Sequence, residues 1–429
     1  MQVTVKVVSE TITKLTVSAD YKDLARVKRH VVAKSAQKIK VQGFREGKVP
    51  VEIAEKHLDA NFLQSEVLDE AINHLYIDAI NQNRLRVVAP PKVELKKFVP
   101  YTDLEFTAEV EVVGKITLPE YKNLNIKIGE VKVTAADVKE ILERLQKQAS
   151  QFKDVTRVAK ESDRITIDFE GTDEKGQPVK GATGKDYQLI LGSKTFIPGF
   201  EDNLNGTKAG QEKTFKLIFP KDYQIKVLQS KKVTFKVIVN KIEETITPDL
   251  NDVFAAKVGP FKNLEELKKD ISKQLELEKS RQAQAEFEDK IIKTIVDKTK
   301  LTLPESILNE QIEAVDKEFR QNLDYRGETF EEYLTNTVQT EQEYHDKELK
   351  PAAETRLKAG LVLSEIAELE NINVSPEEIE IRIQVLKGQY TSNPEINADL
   401  EKPETRRNIA SRLLTEKTIA KLVSYNKKL

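Results

Sequence analysis

The chain has no cysteine, no tryptophan and one methionine among its 429 residues. Without cysteine there is no disulfide framework, no thiolate nucleophile and no sulfur ligand for a soft metal. Only four histidines occur (His30, His57, His74 and His345), scattered without metal-ligand spacing, so a zinc site is not expected. No serine–histidine–acid set is recognisable. No apolar run reaches the ~18 residues that a membrane-spanning helix needs. The opening Met1-Gln2-Val3-Thr4-Val5-Lys6 alternates like a strand and lacks the apolar core of a signal peptide, and a cytoplasmic location is expected. Charge of one sign is also missing: Lys+Arg 69 against Asp+Glu 71 leaves a formal net charge of -2. Any attraction to a polyanion must therefore be local.

What is present is a strongly wetted surface, with 33% charged residues and a mean hydropathy of -0.49. The length suits roughly three domains. The most informative octet is Gly43-Phe44-Arg45-Glu46-Gly47-Lys48-Val49-Pro50. Gly43 and Gly47 permit tight turns, and Pro50 stops one element and can begin a helix. A turn of this kind offers Phe44 as an apolar plug and Arg45 and Lys48 as cationic handles. It is not a phosphate loop, because three residues separate the glycines and Val49 follows Lys48 where a hydroxyl would bind magnesium. The plain alternative is a helix-connecting turn with Phe44 tucked inward. Upstream, Lys22, Arg26, Lys28, Arg29, Lys34, Lys38 and Lys40 face the single acid Asp23. Leu24, Val27, Val31 and Ile39 can share one face of a helix capped by Asp20. A basic helix feeding a basic loop suits an RNA-rich surface, where neutralising phosphates releases counterions. This loop resembles the ribosome-docking signature of the trigger factor family, although Glu46 stands where that motif often has another cation.

Further along, Val3–Val8, Ile12–Val17 and Leu104–Val113 alternate like strands, helices are expected over Val51–His57 and Leu63–Asn81, and Pro90-Pro91 interrupts. Residues 118–152 read as a connector whose helix is opened by Thr134 with Asp137 three on; Val138, Ile141, Leu142 and Leu145 keep helical spacing. Strand patterns at Arg164–Phe169, Gln188–Leu191, Lys213–Phe219 and Lys232–Ile242 alternate with glycine turns, which predicts an antiparallel β-rich module. Beyond Pro248 the pattern is helical. Thr329/Glu332, Thr340/Glu343 and Ser375/Glu378 have capping-box spacing, Pro304, Pro376 and Pro403 suit first turns, and Pro351 should kink or divide a helix. The stripes Leu264/Leu267/Ile271/Leu275 and Ile307/Ile312/Val315/Phe319 fit either a bundle core or an apolar cleft.

In the β-rich module, Ile167-Asp168-Phe169-Glu170-Gly171, Ile197-Pro198-Gly199-Phe200-Glu201 and Phe219-Pro220…Tyr223…Leu228…Phe235 resemble the FKBP family of prolyl isomerases. The resemblance implies a proline pocket of Phe169, Tyr187, Phe196, Ile197, Phe200, Tyr223, Leu228 and Phe235, with Phe200 where many members have tryptophan. Val179 replaces a usual phenylalanine wall, and Lys180 lies near a usual acid. Docking head, isomerase and helical body, with Leu349-Lys350-Pro351-Ala352-Ala353 through Gly360–Ala367 similar to its helical arms, follow the order of the trigger factor family.

That resemblance implies a multidomain α+β protein: a ribosome-binding head at 1–115, a linker at 116–155, an antiparallel FKBP-like domain at 156–245 and a mostly α-helical body with arms at 246–429. It implies an ATP-independent chaperone with no cofactor or metal, holding nascent chains through dispersed apolar patches. Gly43, Phe44, Arg45, Gly47, Lys48 and Pro50 would dock on the large ribosomal subunit at the exit tunnel, on protein and rRNA. Partners are nascent and unfolded polypeptides and, off the ribosome, a second copy; a membrane is not among them. The alternatives are a stand-alone prolyl isomerase and a catalytically weak holdase or scaffold.

Overall fold

A computed structural model describes the whole chain except Gly43, Glu46, Gly47, residues 224–227, 390–392 and 428–429, and the side chain of Lys180. It divides into two compact units. The first comprises Met1–Ile126, Glu288–Phe319 and His345–Leu429, and the second Lys127–Phe287 and Arg320–Tyr344.

The first unit begins with strands β1 (Gln2–Val7) and β2 (Ile12–Ala19), helices α1 (Tyr21–Ala36), α2 (Val51–His57) and α3 (Ala60–Gln82), then strands β3 (Lys92–Val99) and β4 (Asp103–Glu111). The four strands form one antiparallel sheet in the order β1-β2-β4-β3. Its register places Leu15 opposite Ala108 and Val17 opposite Phe106, so that one face carries the apolar set. Onto that face pack Leu24, Val27 and Val31 of α1, and Leu63, Val67, Ala71, Leu75 and Ala79 of α3, which recur every four residues along one side of the helix. Asp20 caps α1, accepting from the Lys22 and Asp23 amides at 2.9 and 3.2 Å. The helix ends at Ala36, so Ile39 packs on the core from the following turn instead of from the helix. Strand β3 escapes the sequence pattern because it is a lysine-rich edge strand whose side chains are nearly all exposed. Edge strands of that composition resist pairing with other chains.

The second unit opens with α4 (Ala135–Gln148), where Thr134 and Asp137 form a reciprocal capping box. The β-rich module follows: β5 (Gln151–Asp154), β6 (Arg164–Thr172), β7 (Pro178–Ile190), a short helix α5 (Phe200–Leu204), β8 (Glu212–Ile218) and β9 (Lys232–Ile246). Every pairing is antiparallel, and β9 is central, bordered by β6 on one side and by β8 and β5 on the other. Ile165, Ile167, Phe200, Leu204, Val237 and Val239 form a fully enclosed core. Arg157 bridges Asp163 at 2.5 Å and Glu244 at 3.0 Å, while Arg164 meets Glu243 at 2.8 Å, tying the segment before β6 to the end of β9.

The rest is helical: α6 (Asp252–Val258), α7 (Leu264–Lys298), α8 (Glu305–Tyr325), α9 (Phe330–Thr337), α10 (Glu341–Tyr344), α11 (Lys350–Leu369), α12 (Pro376–Gln389), α13 (Pro394–Asp399) and α14 (Pro403–Asn426). Within the second unit, Leu264, Leu267, Ile271 and Leu275 of α7 pack against Leu142 of α4 and Phe254 of α6, so this stripe is core. The stripe Ile307, Ile312, Val315 and Phe319 is half-buried. Pro351 follows a π-helical turn at His345–Leu349 that separates α10 from α11. A proline supplies no N–H to the preceding turn, and a wider turn there accommodates the loss. In the first unit, Glu370 accepts from the Tyr121 and Tyr425 hydroxyls, each at 2.6 Å, and lies 2.9 Å from Lys122 Nζ. The Asn426 amide closes the same clasp on Tyr121 O and the Leu124 amide.

Candidate functional site

The loop between α1 and α2 is anchored at both ends. Val41 and Val49 are each 7% exposed and belong to the core between the first sheet and α1–α3, whereas Phe44 between them is 40% exposed and Arg45, Lys48 and Pro50 face solvent. The Phe44 amide donates to Val41 O and the Lys48 amide to Arg45 O. Burying the flanking valines fixes the loop's exit and entry, while Phe44, Arg45 and Lys48 between them reach solvent. Gly43, Glu46 and Gly47 lie outside the described residues. Pro50 sits at the N-cap of α2. On α1, Lys22, Arg26, Arg29, Lys34, Lys38 and Lys40 are exposed along or just beyond the helix. Lys28 is engaged internally, 2.6 Å from Glu55 and over the Tyr101 ring at 4.3 Å, so the basic surface is smaller than the cation count implies.

In the β-rich module a cleft of about 470 Å³ is lined by Phe169, Tyr187, Phe196, Ile197, Tyr223 and Phe235, with Phe219, Pro220, Thr195, Pro198 and residues 181–183 completing it. The rings form a contiguous cluster. Phe196 stacks on Phe200 at 4.3 Å, Phe169 meets Phe196 edge-on at 5.4 Å, and Tyr187 meets Phe196 at 5.3 Å. Such spacings add attraction beyond the area buried. Phe200 is 0% exposed and lies beneath, edge-on to Phe215 and Phe235 at 5.3 and 5.2 Å. Leu228 is buried in the module core and lines a neighbouring cleft instead. Phe219, edge-on to Tyr223 at 4.8 Å, is a lining residue that the sequence signals only through the Phe219-Pro220 pair.

Local backbone chemistry sets these rings. Gly199 has φ +86, a left-handed conformation that glycine adopts without a Cβ penalty, and it directs Phe200 into the core. Gly184 lies against Phe169, where a Cβ would stand 2.6 Å from Cε1 of the ring. Glu201, next to Phe200, is almost fully buried. Its carboxylate accepts from the amides of Lys194 at 3.0 Å, Thr195 at 2.9 Å and Phe196 at 3.4 Å, and from Ser193 Oγ at 3.1 Å. Burial alone would push its pKa up, but these donors outweigh it and hold the carboxyl below its ordinary value. Glu201 thereby fixes the turn that carries Phe196 into the cleft. Sequence reasoning quoted this glutamate within a motif without giving it a role.

Among the described residues lining the cleft there is no Asp, Glu, His, Lys or Arg. The arrangement can strip water from an apolar ring and its amide, and its described lining offers hydroxyls but no carboxylate, imidazole or amine as an acid–base group. That chemistry suits rotation about a peptide bond, whose barrier of about 18–20 kcal/mol comes from amide resonance that water reinforces by solvating the polarised planar form.

Comparison with known proteins agrees with this geometry. The family model for the bacterial trigger factor protein matches residues 1–145, the model for its C-terminus residues 263–424, and that for the FKBP-type peptidyl-prolyl cis-trans isomerase residues 155–240. The trigger factor of Caldicellulosiruptor bescii is 35% identical over 83% of this chain and 81% of its own. That of Clostridium kluyveri is 30% identical over 100% of this chain and 99% of its own. A solved structure of the trigger factor chaperone, 19% identical, shares the fold with a TM-score of 0.50 over 99% of both chains. The chain belongs to the trigger factor family.

Proposed function

We propose that this ribosome-associated chaperone with prolyl isomerase activity docks through its 43–50 loop beside the exit tunnel of the large subunit, on ribosomal protein and rRNA. Phe44 enters an apolar recess there while Arg45 and Lys48 pair with phosphate or carboxylate. The anchored, outward loop and the adjoining basic helix support this reading. Segments 1–115, 116–155, 156–245 and 246–429 act as head, linker, isomerase and client-holding body in the cytoplasm, and off the ribosome two copies pair.

The isomerase acts by desolvation. Phe169, Tyr187, Phe196, Ile197, Tyr223 and Phe235 grip the proline ring, while Phe200 and Leu228 support them from the core. Removal of water raises the planar amide toward the twisted transition state, and binding energy from the aromatic walls is expressed where the twist is greatest. Uncatalysed isomerisation takes roughly 10–100 s, slow enough to limit folding.

Holding is weak and distributed. Ile381 and Val385, one turn apart on α12, are 65% and 52% exposed, and Leu369 ends α11 with its side chain in solvent. Such small patches each bind loosely, yet together they retain a chain through effective concentration and release it as the client buries its own apolar groups.

The aromatic cleft, with no acidic or basic side chain among its described lining residues, carries the enzymatic reading. The full chain should accelerate cis–trans exchange of a proline-containing tetrapeptide. A rate indistinguishable from the uncatalysed one would leave only a scaffold.

A further inference from the structure

A second, larger cleft of about 900 Å³ adjoins the aromatic one, and no part of the proposed function occupies it. Three stretches wall it: the β6–β7 turn from Asp173 to Pro178 with Val179 and Gly181, the segment from Leu228 to Val233, and the corner between α8 and α9 from Gly327 to Asn336. All three belong to the second compact unit. The volume is that of a ligand site and not of a packing flaw. The two clefts meet at Gly181, which lines both. That glycine has φ +82, and a Cβ there would meet nothing within 4 Å, so the backbone at the junction is open.

The helical corner is a built wall. Thr329 and Glu332 close a capping box on α9, and Asn336 Nδ2 donates to Glu328 at 2.9 Å. Phe330 and Tyr344 meet edge-on at 5.2 Å, and the Arg320 guanidinium lies 3.7 Å over the Phe330 ring. The lining mixes signs and polarities. Lys175, Lys231 and Lys232 face a cleft that also holds Glu328 and Glu332, and Pro178, Val179 and Val233 are interspersed. A compact ion would call for one sign; an extended polypeptide carries amides and varied side chains and suits this mixture.

The geometry points to the second cleft as a subsite for client residues that flank the proline, so that the α8–α9 corner helps set which clients the isomerase turns over. A chain whose proline sits among Phe169, Tyr187 and Phe196 passes over Gly181 and lies between the lysines and the corner. This deepens the isomerase reading above and rests on it.

The test compares kcat/KM of the full chain on a proline tetrapeptide with that on a twelve-residue peptide containing the same central sequence. Thr335→Trp fills the cleft from the corner and Lys232→Trp from the opposite wall; both positions are exposed. In each variant the ratio of long-peptide to tetrapeptide kcat/KM should fall about tenfold, through KM, equivalent to one lost contact of ~1.4 kcal/mol. Because both substrates meet the same preparation, partial misfolding cancels from the ratio. A ratio unchanged in both variants overturns the subsite. A wild-type chain that accelerates neither peptide overturns the isomerase reading, and the subsite with it.

Discussion

Phe200→Ala separates scaffold from wall. The ring is fully enclosed and touches four others: Phe196, Phe169, Phe215 and Phe235. Truncating a buried phenylalanine costs about 3–5 kcal/mol, from the lost transfer energy and the cavity left behind. Because the four ring contacts share one aromatic cluster, their energies are not summed. Against a typical domain stability of about 5–15 kcal/mol, such a loss leaves the module folded but much more prone to open. Phe196, stacked at 4.3 Å on the missing ring, would sink toward the void, and isomerase activity should fall to the uncatalysed background. Tyr187→Ala makes the contrast. Tyr187 is 44% exposed and touches Phe169 and Phe196 only by their edges, so its removal should cost about 1 kcal/mol of stability while lowering kcat/KM about tenfold. Hydrogen exchange at the β6 and β9 amides, around Ile167 and Val237, reads the opening energy of this module within the intact chain. Tetrapeptide exchange reads the activity. If Phe200→Ala leaves the exchange-derived stability within 1 kcal/mol of wild type, or if Tyr187→Ala destabilises as much as Phe200→Ala, the assignment of floor and wall is wrong.

Three further perturbations probe other parts of the molecule. Glu201→Gln should weaken the module by about 1.5–3 kcal/mol at neutral pH, since charge-assisted bonds to three amides are replaced by neutral ones. The wild-type carboxyl is held below its ordinary pKa, so its contribution is complete above about pH 4.3 and fades as pH falls through the lowered value. An acid titration of opening energy that is equally steep in the variant would contradict this. Around Glu370, hydrogen bonds from Tyr121 and Tyr425 and then Lys122 hold the carboxyl at about 2, while burial and then the bond to Glu370 push the Tyr121 hydroxyl up to about 12. The glutamate's share is therefore lost only as pH drops toward 2, and the tyrosine's only as pH climbs toward 12. Tyr425→Phe should speed amide exchange at the end of α14, and exchange as slow as wild type would show the clasp to be idle. Finally, Ile381→Ser with Val385→Ser should reduce suppression of aggregation by an unfolded client without altering tetrapeptide isomerisation; unchanged suppression would remove α12 from the holding surface.

The sequence made legible those features that depend on local chemistry. Thr134, Thr329, Thr340 and Ser375 each pair with an acid three residues on, and all four reciprocal bonds form. The every-fourth apolar spacing of α3 and the alternation of β2 and β4 follow from one buried face each. Strand β3 was not legible, because an exposed edge imposes no apolar alternation. Most of β7, Pro178 to Tyr187, reads as a glycine loop, yet it pairs with β6 and Gly184 is required by the Phe169 ring against it. At the cleft, the motif named the rings but could not tell lining from support. That Phe200 lies beneath Phe196, and that Leu228 turns to the adjoining cleft, depends on how β8 and β9 stack on α5 (a tertiary relation that residue spacing does not encode).

Ribosome docking is the claim on which the chaperone account turns. Purified large subunits should co-sediment the wild-type chain at low salt and progressively less as salt screens the cationic contribution. Phe44→Ala with Arg45→Ala should abolish that co-sedimentation while leaving tetrapeptide isomerisation intact. Co-sedimentation of the double variant equal to wild type would contradict the account.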